Sequence, residues 1–207
     1  MRFLRRPRQE SRSIAVFCGA FHPPTIAHLA LVQAAKEYVD EVIWVLPEYF
    51  PHKTYDQVPL EDRAAMLLQI SSDPVAIAEK NLFFEVAEET LEYLPGSEVK
   101  LLIGEDGARR FIEWDYGFTE DQQTAYLKQR LQRFPVVTAK RQESWQLPEG
   151  LGAYFHWLSL DSPLQSISSS LVRERILLGE DWLELVPVEI HALVDRLYGS
   201  KGRDSGQ

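Results

Sequence analysis

At 207 residues the chain is long enough for one domain with a full hydrophobic core and too short for two large ones. Apolar residues make up 45% and charged residues 26%, and no apolar run approaches the ~20 residues that span a membrane. A net charge of −9 excludes broad nucleic-acid binding, because a phosphate backbone needs a positive surface.

That charge is uneven. Residues 1–12 carry five Arg against one Glu, a balance of +4 that leaves −13 for the rest. This basic arm reads as a solvated terminus, with a protein or phosphate contact as the alternative. It lacks the apolar segment of a secretory signal. One cysteine, Cys18, excludes an internal disulfide framework and a thiolate metal site, and it points to the reducing cytoplasm. Nothing in the sequence selects an oligomeric state.

In chain order, Ile14 to Phe17 is an apolar run that ends in Cys18-Gly19-Ala20. The turn Phe21-His22-Pro23-Pro24 follows, and a helix starts at Thr25 with apolar residues at Ile26, Ala30, Ala34 and Tyr38. Val42 to Leu46 is continuously apolar, as in a strand covered on both faces, and Pro47 stops it. A proline-broken loop then holds His52 and Lys53. Pro59 opens a helix to about Ile70, with Glu61 and Asp62 in its first turn and Leu60, Ala64 and Leu67 as its buried stripe.

Val75 to Ala78 predicts a short strand, and Phe83, Ala87, Thr90, Leu91 and Leu94 predict a helix. Val99 to Ile103 is a strand that runs into Gly104-Glu105-Asp106-Gly107, followed by a short helix through Phe111 and Trp114. A polar helix over 119–133, a strand from Pro135 to Thr138, an exposed loop over 140–151 and a strand from Tyr154 to Leu160 come next. The end of the chain predicts a helix from Ser169 to Leu178, a last helix from Pro187 to before Gly199, and a flexible tail over 200–207. Alternating apolar strands and amphipathic helices imply one α/β domain over 13–199: an open parallel sheet with helices on both faces.

In such a sheet, ligands bind at the carboxyl ends of the strands. Only Gly19 lies in the first turn, so neither a dinucleotide fingerprint nor a Walker lysine is present. His22 and His28 stand there instead, and Thr25 opens a helix whose free N–H groups suit an anion. Ser168, Ser169 and Ser170 open a second helix, with Arg173 one turn in and on the same side as Ser169 and Ser170.

Gly19-Ala20-Phe21-His22-Pro23-Pro24-Thr25-Ile26-Ala27-His28 resembles the HxGH/TxGH signature of the nucleotidylyltransferase superfamily. Ile167-Ser168-Ser169-Ser170-Leu171-Val172-Arg173, about 140 residues further on, resembles the ISSTxIR signature of its adenylyltransferase branch. Pro51-His52-Lys53, Gly104-Glu105-Asp106 and Trp114 extend the resemblance to bacterial nicotinate-nucleotide adenylyltransferases. Thr25, Ala27, His22 and Ser170 depart from the usual His, Gly, Asn or Asp, and Thr.

The resemblance implies a Rossmann-like fold of nucleotidylyltransferase type. It also implies adenylyl transfer from ATP, with Mg²⁺, to nicotinate mononucleotide. Gly19, Phe21, His22, Thr25, His28, Ser168, Ser169, Ser170 and Arg173 would hold the ATP phosphates, with His28 preferably an imidazolium. Lys53, Asp106 and Trp114 would meet the acceptor; His28, Arg173 and Lys53 would be catalytic. No protein metal ligand is implied. Another small phosphate acceptor, such as nicotinamide mononucleotide or phosphopantetheine, keeps the same chemistry, and a non-catalytic nucleotide-binding module is the alternative of another class. Outside the resemblance, Arg109 and Arg110 read as added positive potential near the site or as solvated surface residues, Trp44 reads as core, and Cys18 has no neighbouring base to make it a nucleophile.

Overall fold

The computed structural model describes residues 1–49, 58–140 and 145–199. Seven strands form one sheet: β1 (Arg2–Arg5), β2 (Ser13–Cys18), β3 (Glu41–Pro47), β4 (Val75–Ala78), β5 (Glu98–Gly104), β6 (Val136–Ala139) and β7 (Phe155–Leu158). Their order is β1-β4-β3-β2-β5-β6-β7, and every pairing except β1 with β4 is parallel. From β2 the chain steps outward through β3 and β4, then returns to β5 and steps the other way. The order therefore reverses between β2 and β5, where Ile14 lies opposite Val99. A crevice at such a reversal is where open α/β sheets take their ligands.

The helices are α1 (Ile26–Ala35), α2 (Leu60–Ile70), α3 (Phe83–Tyr93), α4 (Glu105–Ile112), α5 (Glu120–Arg133), α6 (Ser162–Gln165), α7 (Ser169–Leu178) and α8 (His191–Val194). Side chains alternate across the sheet. Ile14, Val16, Ile43, Leu101 and Ile103 pack into one core layer. Ala15, Phe17, Trp44, Leu46 and Leu102 pack into the opposite layer. Cover on both faces explains why β2, β3 and β5 read as unbroken apolar runs.

The N-terminal arm differs from its reading as a solvated terminus. Arg2–Arg5 forms β1, antiparallel to β4, with Arg2 opposite Ile77 and Phe3 opposite Ala76. Phe3 packs against one core layer and Leu4 against the other. Arg5 donates to the carbonyls of Leu68 (3.1 Å) and Asp73 (3.2 Å), satisfying acceptors at the end of α2. Two adjacent apolar residues facing opposite layers, flanked by Arg, fit a short paired edge strand.

The last stretch also differs from the single helix expected after Pro187. Val188–Ile190 is a 3₁₀ turn, α8 follows, and Asp195–Gly199 is a π turn. Ile190 and Val194 are buried with Val58, Met66, Ile167 and Val172 in a third apolar cluster. That cluster ties α2, α7 and the C-terminal stretch together. The tail over 200–207 lies outside the described residues.

Candidate active site

A cavity of about 1330 Å³ opens at the carboxyl ends of β2 and β5. One wall comes from the turn 19–22, His28 and Ser168–Arg173; another comes from Gly104, Asp106, Arg110 and Trp114. The two sequence segments separated by about 140 residues are joined directly by hydrogen bonds. Arg173 donates through Nη1 to the His22 carbonyl at 2.5 Å and to the Ser169 carbonyl at 3.1 Å. The Ser169 hydroxyl donates to the Pro23 carbonyl at 2.8 Å. His28 and Arg173 therefore share one cavity.

Each member of the α7 opening has a distinct partner. Ser168 caps α7, its oxygen accepting the Leu171 N–H at 3.2 Å. Ser170 is exposed, and its hydroxyl lies 3.2 Å from Arg173 Nη2. So Ser168 and Ser169 secure the helix start and the turn, while Ser170 and the Arg173 fork face the open side. The first-turn N–H groups of a ten-residue helix add positive potential there.

On α1, the Thr25 main-chain N–H donates to His28 Nδ1 at 3.0 Å, and the Thr25 hydroxyl sits 2.7 Å from the same nitrogen. A main-chain N–H can only donate, so that bond is made by the tautomer with its lone pair on Nδ1 and its proton on Nε2. In that tautomer Nε2–H is the donor of His28, whereas in an imidazolium Nδ1–H donates to the Thr25 hydroxyl. Thr25 is fully buried, with its hydroxyl turned to His28. It positions His28.

Phe21 has φ of 45°, in the left-handed region that an aromatic residue seldom occupies. Its ring packs edge-on against Phe17, Trp44 and His28, with centroids 5.0, 5.0 and 5.4 Å apart. A Cβ at Gly19 would come within 3.0 Å of that ring, so glycine lets the ring fold back over the strand end. His22 is 5% exposed at the cavity wall, and the Tyr198 ring meets it edge-on at 5.1 Å.

Asp106 is exposed in the first turn of α4 and reaches the cavity wall; the cap of α4 is Gly104. Trp114 is half-buried on the same wall. Arg110 lines the cavity, whereas Arg109 pairs with Glu113 at 3.1 Å on the exposed side. Trp44 is fully buried. Cys18 also meets the cavity, but burial, and then the Glu89 charge, push its thiol up to about 12, so no thiolate forms at neutral pH. Lys53 lies outside the described residues.

Two arginines escape a motif search. Arg63 on α2, 4% exposed, donates to the Ala20 carbonyl at 3.1 Å. Its spacing from Leu60 and Leu67 puts it on the buried stripe, a signal visible in the sequence. Arg130 on α5 lines the cavity, pairs with Glu88 at 2.7 Å and lies 5.2 Å from the Phe84 ring centroid. No sequence signal singles it out on a helix rich in polar residues.

A parallel sheet with a glycine turn at its reversal point, a histidine at one helix start and a serine-capped, arginine-bearing helix at another define a nucleotide-phosphate-binding α/β protein of nucleotidylyltransferase type. The cytidylyltransferase-like family matches residues 16–175. A probable nicotinate-nucleotide adenylyltransferase of Caldicellulosiruptor saccharolyticus is 30% identical over 178 residues, covering 79% of this chain and 86% of that protein. One from Chloroherpeton thalassium is 29% identical over 212 residues, covering 90% and 98%. The chain belongs to the cytidylyltransferase-like family, among its nicotinate-nucleotide adenylyltransferases. The solved structure of Plasmodium falciparum nicotinic acid mononucleotide adenylyltransferase, complexed with NaAD, shares the fold. Its TM-score is 0.67 at 16% identity, covering 89% of this chain and 96% of that one.

Proposed function

We propose that the protein transfers AMP from ATP to nicotinate mononucleotide, giving nicotinate adenine dinucleotide and pyrophosphate. The observation that carries this reading is the bond from Arg173 to the His22 carbonyl, which puts both motifs on one cavity.

The acceptor's phosphate oxygen attacks the α-phosphorus, the new P–O bond forms, and the bond to the β-phosphate oxygen breaks in line with it. The attacking phosphate is ionised at neutral pH, so no general base is needed. The protein's task is alignment and charge stabilisation. His28 donates its Nε2 proton to an α-phosphate oxygen as charge gathers there. Ser170, Arg173 and the first turn of α7 take the β- and γ-phosphates. Asp106 accepts from a hydroxyl or ring amine of the acceptor, and Trp114 stacks on its ring. Lys53 completes the set at a phosphate of either substrate.

Among the described residues no group of three His, Cys, Asp or Glu side chains lies together. Mg²⁺ would arrive with ATP and supply charge neutralisation at its phosphates. Among the described residues no helix is long and apolar enough to cross a membrane. A chain with a single cysteine, and so no internal disulfide, suits the reducing cytoplasm.

Pyrophosphate release from MgATP, measured with nicotinate mononucleotide, nicotinamide mononucleotide and phosphopantetheine in turn, tests the reading. Release with nicotinate mononucleotide at least tenfold above the others is expected. Release with none of them would leave only a nucleotide-binding module.

A further inference from the structure

We infer that Arg63, buried outside the cavity, is a positioning residue for the ATP phosphates: it holds the Ala20 carbonyl and so turns the Phe21 N–H toward the cavity. This rests on the adenylyltransferase reading above.

The argument begins with the peptide plane between Ala20 and Phe21. In a planar trans peptide the carbonyl and the following N–H point in opposite directions. The Ala20 carbonyl accepts from Arg63 Nη1 at 3.1 Å. Arg63 is 4% exposed and lies outside the cavity wall, while Gly19, Ala20 and Phe21 all belong to that wall. Fixing the carbonyl on the α2 side leaves the Phe21 N–H on the cavity side, where an anion can take it. His22, one residue on, is held the same way by Arg173. Two guanidinium groups from two helices thus grip alternate carbonyls of the turn between β2 and α1.

The turn needs such holding. Phe21 sits at φ of 45°, a conformation that costs free energy and persists only when its surroundings over-determine it. Ring packing fixes the side chain of Phe21, and Arg63 fixes the peptide before it. A buried guanidinium is an expensive tie, since desolvating the charge opposes folding. Placed behind a phosphate site, the same charge also strengthens the field that an incoming triphosphate meets.

The test compares dissociation constants for MgATP and for adenosine by calorimetry in the wild type, Arg63→Met and Arg63→Lys. Loss of a positioned N–H to a charged group lowers affinity by about tenfold to hundredfold. In Arg63→Met, with unchanged circular dichroism, MgATP affinity is expected to fall in that range while adenosine affinity stays within twofold. Arg63→Lys keeps the charge but loses the fork, and it is expected to recover part of the loss. Arg5→Met, which unties the end of α2 far from the turn, is expected to leave both affinities unchanged. MgATP affinity within twofold of wild type in Arg63→Met, or equal losses for MgATP and adenosine, overturns the inference. Should Arg63→Met fail to fold, Arg63→Lys decides: a selective loss for MgATP supports the inference, and wild-type affinity overturns it. A wild type that binds no MgATP, or releases no pyrophosphate with any acceptor, counts against the adenylyltransferase reading instead.

Discussion

The Thr25 main-chain N–H reaches Nδ1 of His28 at 3.0 Å, a bond that the Nε2–H tautomer of the ring makes. In that tautomer the neutral imidazole donates without needing a charge. The turnover number at saturating substrates is therefore expected to stay within threefold from pH 6.5 to 8.5, about the span over which a free histidine loses its charge. A tenfold fall per pH unit through that range would show that the imidazolium is the working form.

His28→Ala removes the donor altogether. Turnover is expected to fall by about 10²–10³, the usual loss for one transition-state donor, with MgATP affinity changed by less than fivefold. Single-turnover kinetics and calorimetry on the same preparation separate the two quantities. Equal turnover would take His28 out of the reaction.

Thr25→Val tests the positioning role of the buried threonine. The hydroxyl, 2.7 Å from Nδ1, is lost, but the main-chain bond remains. A fall in turnover of about fivefold with unchanged MgATP affinity is expected, since one neutral hydrogen bond is worth roughly 1 kcal/mol. A change confined to MgATP affinity would restore Thr25 as a phosphate contact.

Asp40 offers a pH dependence of stability. The N–H groups of Ser13 and Arg12, each at 2.9 Å, hold its carboxyl below the ordinary value of 3.8. A lowered folded value means that the ionised form stabilises the fold above 3.8, and that this contribution is lost as pH falls through the folded value. Asp40→Asn is expected to lower the thermal midpoint at pH 7 and to match wild type near pH 2. A constant gap at both pH values would show that the loss comes from geometry alone.

Leu101 is fully buried in the central strand β5. Leu101→Ala is expected to destabilise the protein by about 2–5 kcal/mol in urea unfolding, as cavities in rigid cores do. A loss below 1 kcal/mol would mean that the layer over β5 collapses to fill the gap.

Most of the sheet was legible because its physics is local: β2, β3 and β5 are apolar runs without alternation, each closed by Gly or Pro, as strands covered on both faces are. The α7 helix was legible down to its ends, with a serine cap and Gly179 at φ of 70°. What escaped is long-range. RFLR finds its partner some 70 residues away in β4, and a four-residue strand carries too little pattern to announce that pairing. His28 and Arg173 could be named from motifs. The direction of a hydrogen bond between Thr25 and His28, or the reach of Arg63 to Ala20, depends on angles that residue types do not fix.

β1 has a further consequence, because it runs against the grain of its neighbour. β4 would otherwise end the sheet with a bare row of amide and carbonyl groups, the kind of margin along which separate molecules zip together. The Arg-rich leader lays a short charged hem along that margin, and its antiparallel course needs no further helix to bring it there. Trimming the first six residues would accordingly be felt as clumping in solution before it was felt at the catalytic turn.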